Sequence, residues 1–322
     1  MGLKHEVLRL LEENRESYLS GQEIANRLAF SRTAVWKAIH SLKEEGYQIH
    51  AVSNKGYQLD TSCDLLSSEG IHAYLAEDLK QFPIYVYQQI GSTNTEAKQQ
   101  ALNGAPHGTI ILAEEQTQGR GRLGRKFYSP KGTGIYMSII LRPQLHLNQA
   151  IQVTTTVAVA VCRVIEKLTN QNPHIKWVND IYLGKQKICG ILTEAVTDFE
   201  SGQVEFIILG IGLNVNTVDF PADLHEIAGS LNPKDVTRNQ LCAHLLNELF
   251  SLFSKLNDPQ VLEEYKSKSN VLGNWITFMK NQESYEAFAE DINEQGGLIV
   301  RLKNDEKMIL NSGEISIRWT KI

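Results

Sequence analysis

Short amphipathic helices are predicted at the start of the chain. Apolar side chains recur at helical spacing over residues 3–11, which predicts a first helix. Ser20 and Glu23 have the spacing of a capping box and predict the start of a second helix. Ser31 is suited to cap a third helix over 32–45, and a glycine follows that helix directly. The pattern therefore predicts three helices in close succession.

A hairpin follows these helices. Residues 47–52 and 57–59 predict two strands around a turn at 53–56. Two helices joined by a tight turn and followed by a hairpin are typical of a winged helix-turn-helix, which reads DNA with its second helix. The predicted DNA-binding residues are Ser31, Arg32, Thr33, Trp36, Lys37, His40 and, in the wing, Lys55. A protein-interaction module is the alternative, since the charge of this segment is nearly balanced.

The middle of the chain mixes strand-like and helical segments. Strands are predicted at 84–87, 109–113, 135–141, 188–196 and 206–211, and helices at 95–102, 148–168 and 238–256. This order lacks the strict alternation of a doubly wound fold, and it predicts a central mixed sheet with flanking helices. After Val271, short strands broken by Gly296-Gly297 and by residues 311–313 predict a small β-barrel. The fold class is therefore α+β, with domains expected at 1–63, 64–270 and 271–322.

The composition limits the class of protein. Hydrophobic residues make up 42% of the 322 residues and charged residues 21%, which is typical of a soluble globular chain. No apolar stretch is long enough to span a membrane and no signal peptide is evident, so we expect a cytoplasmic protein without a membrane partner. The four cysteines contain no Cys-x-x-Cys pair, which argues against a disulfide framework or a zinc site. With a net charge of -5, DNA binding would depend on a local surface.

A cationic segment rich in glycine runs from Gln116 to Lys131. Its glycines at 119, 121 and 124 have dinucleotide-binding spacing, but a polar stretch precedes them and Pro130 prevents a long helix after them. The segment contains five basic residues and no acidic one: Arg120, Arg122, Arg125, Lys126 and Lys131. Arginine forks and close glycine backbone suit an anion, so we interpret it as a mobile anion-binding loop. A solvated surface loop is the alternative.

Three further motifs carry polar or charged groups. Residues 91–95 place hydroxyl and amide groups where a strand meets a helix, and there they can cap the helix or orient a ligand. Residues 176–180 combine a lysine, an amide and a carboxylate, and Lys187 follows them. Gly210 and Gly212, on a strand that looks buried, leave room for a flat ring. No Walker motif is present, so a nucleotide would not bind on a P-loop.

At these residues the sequence resembles the biotin protein ligases, in their bifunctional form that also represses the biotin operon. The motifs that carry the resemblance are Gly119-Arg120-Gly121-Arg122-x-x-Arg125, Ser92-Thr93-Asn94, Lys176-Trp177-x-Asn179-Asp180 and Lys187 before Gly190-Ile191-Leu192. The resemblance covers the whole chain. It implies a catalytic body like that of class II aminoacyl-tRNA synthetases and an SH3-like C-terminal barrel. It also implies that biotin and MgATP form biotinyl-5'-AMP, from which biotin passes to a carrier lysine.

The resemblance also implies roles for individual residues. The biotin-binding residues would be Ser92, Thr93, Asn94, Gln116, Gly119, Arg120, Gly121, Arg122 and Lys187. The nucleotide-binding residues would be Arg122, Arg125, Phe127, Lys176, Asn179 and Asn214. Lys187, Arg120 and Asp180 would be catalytic, and Asp180 is the candidate Mg²⁺ ligand in a protein without a dedicated metal site. Two positions depart from the family pattern, since Val178 replaces a proline and Phe127 replaces a tryptophan that stacks on adenine.

The resemblance further implies partners and a switch. The carrier would be the biotin carboxyl carrier domain of acetyl-CoA carboxylase or pyruvate carboxylase. Ordering of the cationic loop around biotinyl-5'-AMP would favour a homodimer that binds an inverted-repeat operator. Three alternatives stay open: a transcription factor that only senses an anion, a related ligase such as a lipoate ligase, and an enzyme whose winged helix has lost its own operator.

Overall fold

The computed structural model of the chain describes residues 2–143, 150–197, 203–256, 258–280 and 283–317. These residues pack as two compact units. The first contains the residues up to 86 together with 234–247, and the second contains 87–233 and the residues from 248 onwards. The domain limits expected from the sequence, 1–63, 64–270 and 271–322, remain a prediction.

The first unit begins with three helices, and their predicted caps are confirmed. The helices are α1 (Leu3–Glu13), α2 (Gly21–Leu28) and α3 (Arg32–Glu44). Ser20 Oγ accepts a 3.0 Å hydrogen bond from the N–H of Glu23, and Ser31 Oγ accepts one of 3.1 Å from that of Ala34. The Glu23 carboxylate pairs with Arg27 on the next turn at 2.6 Å, so only the serine half of the capping box is used.

A two-stranded wing completes the predicted winged helix-turn-helix. Strands β1 (Ile49–Val52) and β2 (Gly56–Leu59) pair antiparallel. Leu19, which precedes α2, exchanges hydrogen bonds of 2.9 and 2.8 Å with Tyr57 and so lies beside β2. A Cβ at Gly56 would lie 2.1 Å from the Leu19 oxygen, and Gly56 has a φ of +112°, so this position requires glycine. The fold of this segment is thus confirmed.

A second layer of the first unit follows the wing. It contains α4 (Ser68–His72) and the start of α7 (Arg238–Phe253). The main-chain N and Nε of Arg238 donate to the Asp64 carboxylate at 2.6 and 3.1 Å. Asn239 accepts from the N–H of Ser67 at 3.1 Å and donates to the carbonyl of Leu65 at 2.9 Å. Both α7 side chains are buried, so their polar groups depend on this hydrogen bonding.

The second unit is built on a sheet with helices packed against it. Its strands are β4 (Ile110–Ala113), β5 (Gly134–Leu141), β6 (His174–Lys176), β7 (Asp180–Leu183), β8 (Gln186–Thr197) and β9 (Val204–Asn214). They lie in the order β4-β5-β9-β8-β7-β6, with antiparallel neighbours. The carbonyl of Tyr87, the last residue of β3 (Ile84–Tyr87), accepts from Glu114 next to β4. The helices are α5 (Thr93–Leu102), α6 (Ala150–Thr169) and α8 (Pro259–Ser267).

The β6–β7 hairpin and α8 were not predicted from the sequence. The hairpin strands are only three and four residues long, too short to establish a period of two. Helix α8 does carry a recognisable start, because Asp258 caps it and Pro259 is its first residue. The remaining strands and helices of this unit agree with the predicted segments to within a few residues.

The C-terminal strands form a separate antiparallel sheet within the second unit. They are β10 (Trp275–Lys280), β11 (Glu283–Ile292), β12 (Leu298–Leu302), β13 (Lys307–Leu310) and β14 (Ile315–Ile317). Their order is β13-β12-β11-β10-β14, so over the described residues the sheet is open where a closed barrel was expected. The α+β class with a helix-turn-helix, a central sheet and a C-terminal sheet is confirmed. None of the helices described here is both long and apolar enough to cross a membrane.

Candidate active site

A cleft of about 360 Å³ opens over one face of the central sheet of the second unit. The predicted ligand-binding residues that line it are Ser92, Thr93, Asn94, Gln116, Arg120, Gly121, Arg122, Arg125, Phe127, Lys176, Asn179, Asp180, Lys187 and Asn214. Gly119 does not line the cleft, but a Cβ there would lie 2.3 Å from the Phe127 oxygen. Because glycine has no side chain, the backbone at Gly119 can lie close to the backbone at Phe127.

Part of the cationic segment pairs with itself as a short hairpin. The N–H of Phe127 donates to the carbonyl of Gly119 at 2.9 Å, and the N–H of Gly121 donates to that of Arg125 at 2.8 Å. Leu123 forms the tip with a positive φ of 55°, and its side chain is exposed. We call residues 119–127 the arginine hairpin.

Oxygen atoms from distant parts of the chain meet these arginines. Arg122 donates to Asn179 Oδ1 at 3.0 Å and to the carbonyl of Gly313 at 3.3 Å. Arg125 donates to Glu314 Oε2 at 2.5 Å. Arg120 lies 3.6 Å from a carboxylate oxygen of Glu194 on β8. The hairpin contains no acid of its own, and two of its cations meet carboxylates that the sequence alone did not connect with it.

A chain of hydrogen bonds crosses the end of the cleft where α5 begins. Gln116 Oε1 accepts from the N–H of Thr93 at 2.8 Å, and Gln116 Nε2 donates to Ser129 Oγ at 2.9 Å. Ser138 Oγ donates to Asn94 Oδ1 at 2.6 Å. The buried Ser92 stands at the N-cap position of α5, but its hydroxyl makes no capping bond. That hydroxyl can therefore bind a ligand, and capping does not explain the motif.

Two lysines flank a carboxylate at the other end of the cleft. Lys187 Nζ lies 2.7 Å from Asp180 Oδ1, and Lys176 pairs with Asp180 in the register of β6 and β7. The main chain of Lys187 is held on both sides, by hydrogen bonds with Ile227 and Gly229. Burial lowers the pKa of the Lys176 ammonium, and the positive charge of Lys187 lowers it further, while Asp180 opposes both effects. This end of the cleft can hold a polyanion.

The two glycines of β9 accommodate side chains of the protein itself. A Cβ at Gly210 would lie 2.2 Å from Asn94 Oδ1, and one at Gly212 would lie 2.6 Å from the Phe127 ring. The Phe127 ring also packs edge-on to Tyr136, with ring centroids 6.4 Å apart. The room predicted for a flat ring at these glycines is therefore occupied by the protein itself, with Asn94 over Gly210 and the Phe127 ring over Gly212.

An unused acceptor lies near the lysines. The Asn214 side chain is buried and donates to the carbonyl of Gly229 at 3.1 Å. Its Oδ1 has no hydrogen-bond partner among the residues that the structure describes. A buried acceptor without a partner is unfavourable, so this oxygen is suited to receive a donor from a ligand.

Two hydrogen bonds with later parts of the chain support the turn before Asp180. Trp177 Nε1 donates to the carbonyl of Gly296 at 2.9 Å, and the hydroxyl of the buried Tyr265 donates to the carbonyl of Val178 at 3.1 Å. The C-terminal sheet and α8 therefore position the Lys176–Asp180 turn. Sequence reasoning missed this support, as it missed Glu194, Gly313 and Glu314. Only Glu194 had a local signal, because it continues the alternation of Gly190 and Leu192 on β8.

A preformed metal cage is absent from the described part of the chain, where no group of three His, Cys, Asp or Glu side chains could hold an ion. Asp180 offers a single carboxylate, which lies against Lys187. One carboxylate together with phosphate oxygens is a common way to hold Mg²⁺ beside a nucleotide. The residues therefore fit an ion that arrives with its ligand, and they do not form a permanent metal centre.

Exposed side chains on α3 form a second candidate site, in the first unit. The predicted DNA-binding residues Ser31, Arg32, Thr33, Trp36, Lys37, His40 and Lys55 are all exposed. Trp36 is 55% exposed and packs at 5.4 Å between ring centroids on His40, one turn further along α3. Lys55 at the tip of the wing lies over the ring of Tyr18. The helix thus presents cations, a hydroxyl and an aromatic ring to a partner.

Comparisons with family models agree with this layout. Residues 86–214 match the model of the Biotin/lipoate A/B protein ligase family. Residues 4–58 match an HTH domain, and residues 272–318 match the Biotin protein ligase C terminal domain. The three matches follow one another along the chain in the order of the helix-turn-helix, the central sheet and the C-terminal sheet.

Individual proteins give the same result. The Bifunctional ligase/repressor BirA of Bacillus subtilis (strain 168) is 39% identical over 249 residues, which cover 76% of each chain. The protein of the same name from Escherichia coli (strain K12) is 28% identical over 305 residues, 93% of this chain and 92% of the relative. Among solved structures, a biotin protein ligase from Aquifex aeolicus in complex with biotin and ATP has a TM-score of 0.63 and 26% identity. It covers 74% of this chain and 99% of its own.

Proposed function

This chain belongs to the biotin protein ligases, and on that premise we propose that it joins biotin to a carrier lysine and represses transcription of biotin genes. The observation that carries the ligase activity is the convergence of Lys176, Asp180 and Lys187 with the arginine hairpin on one cleft. Such a cleft suits a small carboxylic acid beside a triphosphate. The reaction then has two steps, adenylation of the biotin carboxylate and transfer of the biotinyl group to an amine.

In the first step a carboxylate oxygen of biotin attacks the α-phosphorus of ATP. The bond from that phosphorus to the bridging oxygen breaks, and pyrophosphate leaves with the bonding electrons. Two anions must approach each other, so the protein has to neutralise charge at the point of contact. Lys187 would do this, because its ammonium lies in the cleft beside Asp180 and close enough to Lys176 to lower the pKa of that lysine. Asp180 holds that ammonium in place before the ligands arrive.

The ring end of the cleft would bind the ureido group of biotin. Ser92, Thr93, Asn94 and Gln116 present hydroxyl and amide groups there, and Ser92 has a hydroxyl that its helix does not use. Arg120 and Arg122 would close over the biotin chain and its phosphate, with Gly121 and Gly119 allowing the close approach of the hairpin.

The nucleotide would occupy the remaining part of the cleft. Arg125 and Lys176 supply positive charge for the phosphates, and Asn179 and Asn214 supply polar contacts. The free acceptor of Asn214 suits a ribose hydroxyl or an incoming ammonium group. Phe127 offers a ring face for adenine.

The cleft also suits magnesium bound with ATP. Asp180 would be the protein ligand, and Mg²⁺ when bound would supply positive charge to the departing pyrophosphate. Lys187 would then shift from the carboxylate toward the reacting groups.

In the second step the ε-amine of a carrier lysine attacks the biotinyl carbonyl. The carbon–oxygen bond of the mixed anhydride breaks, AMP leaves, and the amine gives up a proton. The acceptor is a biotin carboxyl carrier domain of a carboxylase. The acylphosphate is protected from water while the arginine hairpin stays closed over it.

Repression would use the first unit. Arg32, Thr33, Trp36 and Lys37 on α3 would read base edges in the major groove, with Lys55 of the wing on the phosphates. Closure of the arginine hairpin over biotinyl-5'-AMP creates a surface that favours a homodimer, and a dimer reads an inverted repeat. Sedimentation velocity with and without biotin and MgATP tests this step, and an unchanged mass would count against it.

The ligase proposal is tested by mass spectrometry of an apo carrier domain. Incubation with the protein, biotin and MgATP should add one biotinyl group to a single lysine. Lipoic acid in place of biotin should leave the carrier unmodified, and omission of ATP should do the same. If the carrier were modified with lipoic acid and not with biotin, the protein would be a lipoate ligase. A chain that binds biotin but shows no biotin-dependent exchange between pyrophosphate and ATP would be a sensor without activity.

A further inference from the structure

Glu194 of β8 lies where the ring end of the cleft meets the arginine hairpin. Its Oε2 accepts a 2.7 Å hydrogen bond from Asn94 Nδ2. Its Oε1 lies 3.6 Å from a guanidinium nitrogen of Arg120. One carboxylate thus contacts both a buried amide of the ring end and an arginine of the hairpin.

The contact with Asn94 sets the orientation of its amide. A carboxylate only accepts hydrogen bonds, so Asn94 turns its NH₂ group toward Glu194. Its carbonyl oxygen then points to Ser138, whose hydroxyl donates to it at 2.6 Å. The amide rests on β9 at Gly210, where a Cβ would lie 2.2 Å from Asn94 Oδ1. Glu194 therefore fixes the donor that Asn94 offers at the ring end.

The contact with Arg120 is weaker and more exposed. The Arg120 side chain is 51% exposed and that of Glu194 is 27% exposed, and their separation exceeds hydrogen-bond length. Solvent screens such a pair, which makes it easy to open and to form again. A hairpin that admits a ligand and then closes over it needs a contact of this kind.

We propose that Glu194 is a positioning residue that couples occupation of the ring end to closure of the arginine hairpin. The inference rests on the proposed ligase function. A ligand that hydrogen-bonds Asn94 holds the Asn94 amide against Glu194, and the carboxylate then holds Arg120 over the ligand. Glu194 acts through these two residues and makes no contact with the reacting carboxylate or phosphate.

Two substitutions separate the two contacts. In Glu194→Gln the amide oxygen still accepts from Asn94, but the charge that attracts Arg120 is lost. We expect the KM for biotin to stay within about twofold of the wild-type value, while biotinyl-5'-AMP dissociates about tenfold faster. Glu194→Ala removes both contacts, so the KM for biotin should also rise about tenfold.

Proteolysis gives a readout of closure that does not depend on turnover. Trypsin should cleave after Arg120, Arg122 and Arg125 in the free protein, and biotin with MgATP should slow this cleavage. The protection should be weaker in both Glu194 variants. Glu205→Gln is the matched control, because Glu205 is an exposed carboxylate on the neighbouring strand β9, outside the cleft. It should match the wild type in every measurement.

Two outcomes would overturn the inference. If both Glu194 variants changed the KM for biotin and the dissociation of biotinyl-5'-AMP by one common factor, Glu194 would only support local packing. If neither variant differed from Glu205→Gln, Glu194 would have no role in the reaction. A wild-type protein that forms no biotinyl-5'-AMP would instead refute the ligase function, so the two failures can be told apart.

Discussion

The indole nitrogen of Trp177 donates a 2.9 Å hydrogen bond to the main-chain oxygen of Gly296, which ties the turn before Asp180 to the C-terminal sheet. Trp177→Phe keeps an aromatic ring in the buried site but removes the donor. We expect the free energy of unfolding to fall by about 1–2 kcal/mol, because the buried carbonyl loses its partner. The rate of biotinyl-5'-AMP formation should fall several-fold, since Asp180 and Lys187 lose their support.

Urea unfolding and biotin-dependent exchange between pyrophosphate and ATP measure the two effects. Trp275→Phe on β10 is the control, because Trp275 is 40% exposed and should change stability by less than about 0.5 kcal/mol. A Trp177→Phe protein that is destabilised but adenylates biotin at the wild-type rate would show that the turn needs no support from the C-terminal sheet.

Replacement of Lys187 should strongly lower the rate of adenylate formation, the first step of the reaction. Lys187→Met removes the ammonium next to Asp180 while keeping a side chain of similar length. Loss of charge stabilisation in the transition state should lower the single-turnover rate of adenylate formation about 100-fold or more, equivalent to roughly 3 kcal/mol. Lys185→Met, at an exposed position two residues earlier, should react at the wild-type rate. Retention of more than about a tenth of the rate by Lys187→Met would exclude the proposed role.

Lys176 should make nucleotide binding sensitive to alkaline pH. Burial lowers the pKa of Lys176 below its ordinary value of 10.5, so the folded protein loses this proton at a lower pH than the unfolded chain does. Between the two pKa values the unfolded chain binds more protons, and the contribution of Lys176 to the free energy of unfolding rises with pH. The cation available to the phosphates disappears over the same range. The KM for ATP should therefore rise as pH increases toward the ordinary lysine pKa.

Lys176→Arg tests this assignment, because a guanidinium stays protonated throughout that range. The alkaline rise in the KM for ATP should be absent in the arginine variant when initial rates are measured between about pH 7 and pH 10. If the KM for ATP rose equally in the wild type and in Lys176→Arg, a group other than Lys176 would cause the rise.

Glu314 should compete with ATP for Arg125. The two side chains form a pair at 2.5 Å but are 41% and 70% exposed, so the pair should contribute less than about 1 kcal/mol to stability. In Glu314→Gln the guanidinium is free for phosphate, and we expect a lower KM for ATP at low salt. The difference should shrink at high salt, where both interactions are screened. Glu306→Gln, on an exposed turn of the same sheet, is the control. A higher KM in Glu314→Gln would mean that Glu314 positions Arg125 for the nucleotide.

Trp36 should matter for DNA and not for ligation. Its ring is 55% exposed, so Trp36→Ala should leave stability within about 0.5 kcal/mol of the wild-type value. Loss of a base contact should weaken operator binding by about 1–3 kcal/mol. Operator fragments can be selected from genomic DNA of the source organism in the presence of biotin and MgATP. Phe30→Ala, at a similarly exposed aromatic residue before α3, is the control. Equal losses in both variants would show that α3 is not the reading helix.

Local signals account for the parts of the fold that the sequence predicted. Ser20 and Ser31 cap their helices because a cap depends only on residues within one turn. The buried strands β5 and β9 were visible as long apolar runs. The β6–β7 hairpin was not visible, because its strands are short and its position depends on support from Gly296 and Tyr265.

The candidate site was predictable where its motifs are continuous in the chain. The arginine hairpin and the turn at 176–180 fall in this class, and the structure brings them to one cleft. The carboxylates that meet Arg120 and Arg125, Glu194 and Glu314, lie about 70 and 190 residues away from them, so even the alternation that places Glu194 on the same face of β8 as Leu192 could not connect it with an arginine. The backbone pairing between Gly119 and Phe127 within the arginine hairpin was likewise not predicted, and the mobility expected of this segment stays a prediction.

The segment before α4 and the start of α7 limit how this protein could be shortened. Asp64 and Leu65 supply acceptors to the buried Arg238 and Asn239, 174 residues further along the chain. Deletion of the helix-turn-helix together with residues 64–67 would remove these partners from the Arg238 guanidinium and the Asn239 amide. A stand-alone ligase engineered from this chain would need nonpolar replacements for Arg238 and Asn239, or would have to begin upstream of Asp64.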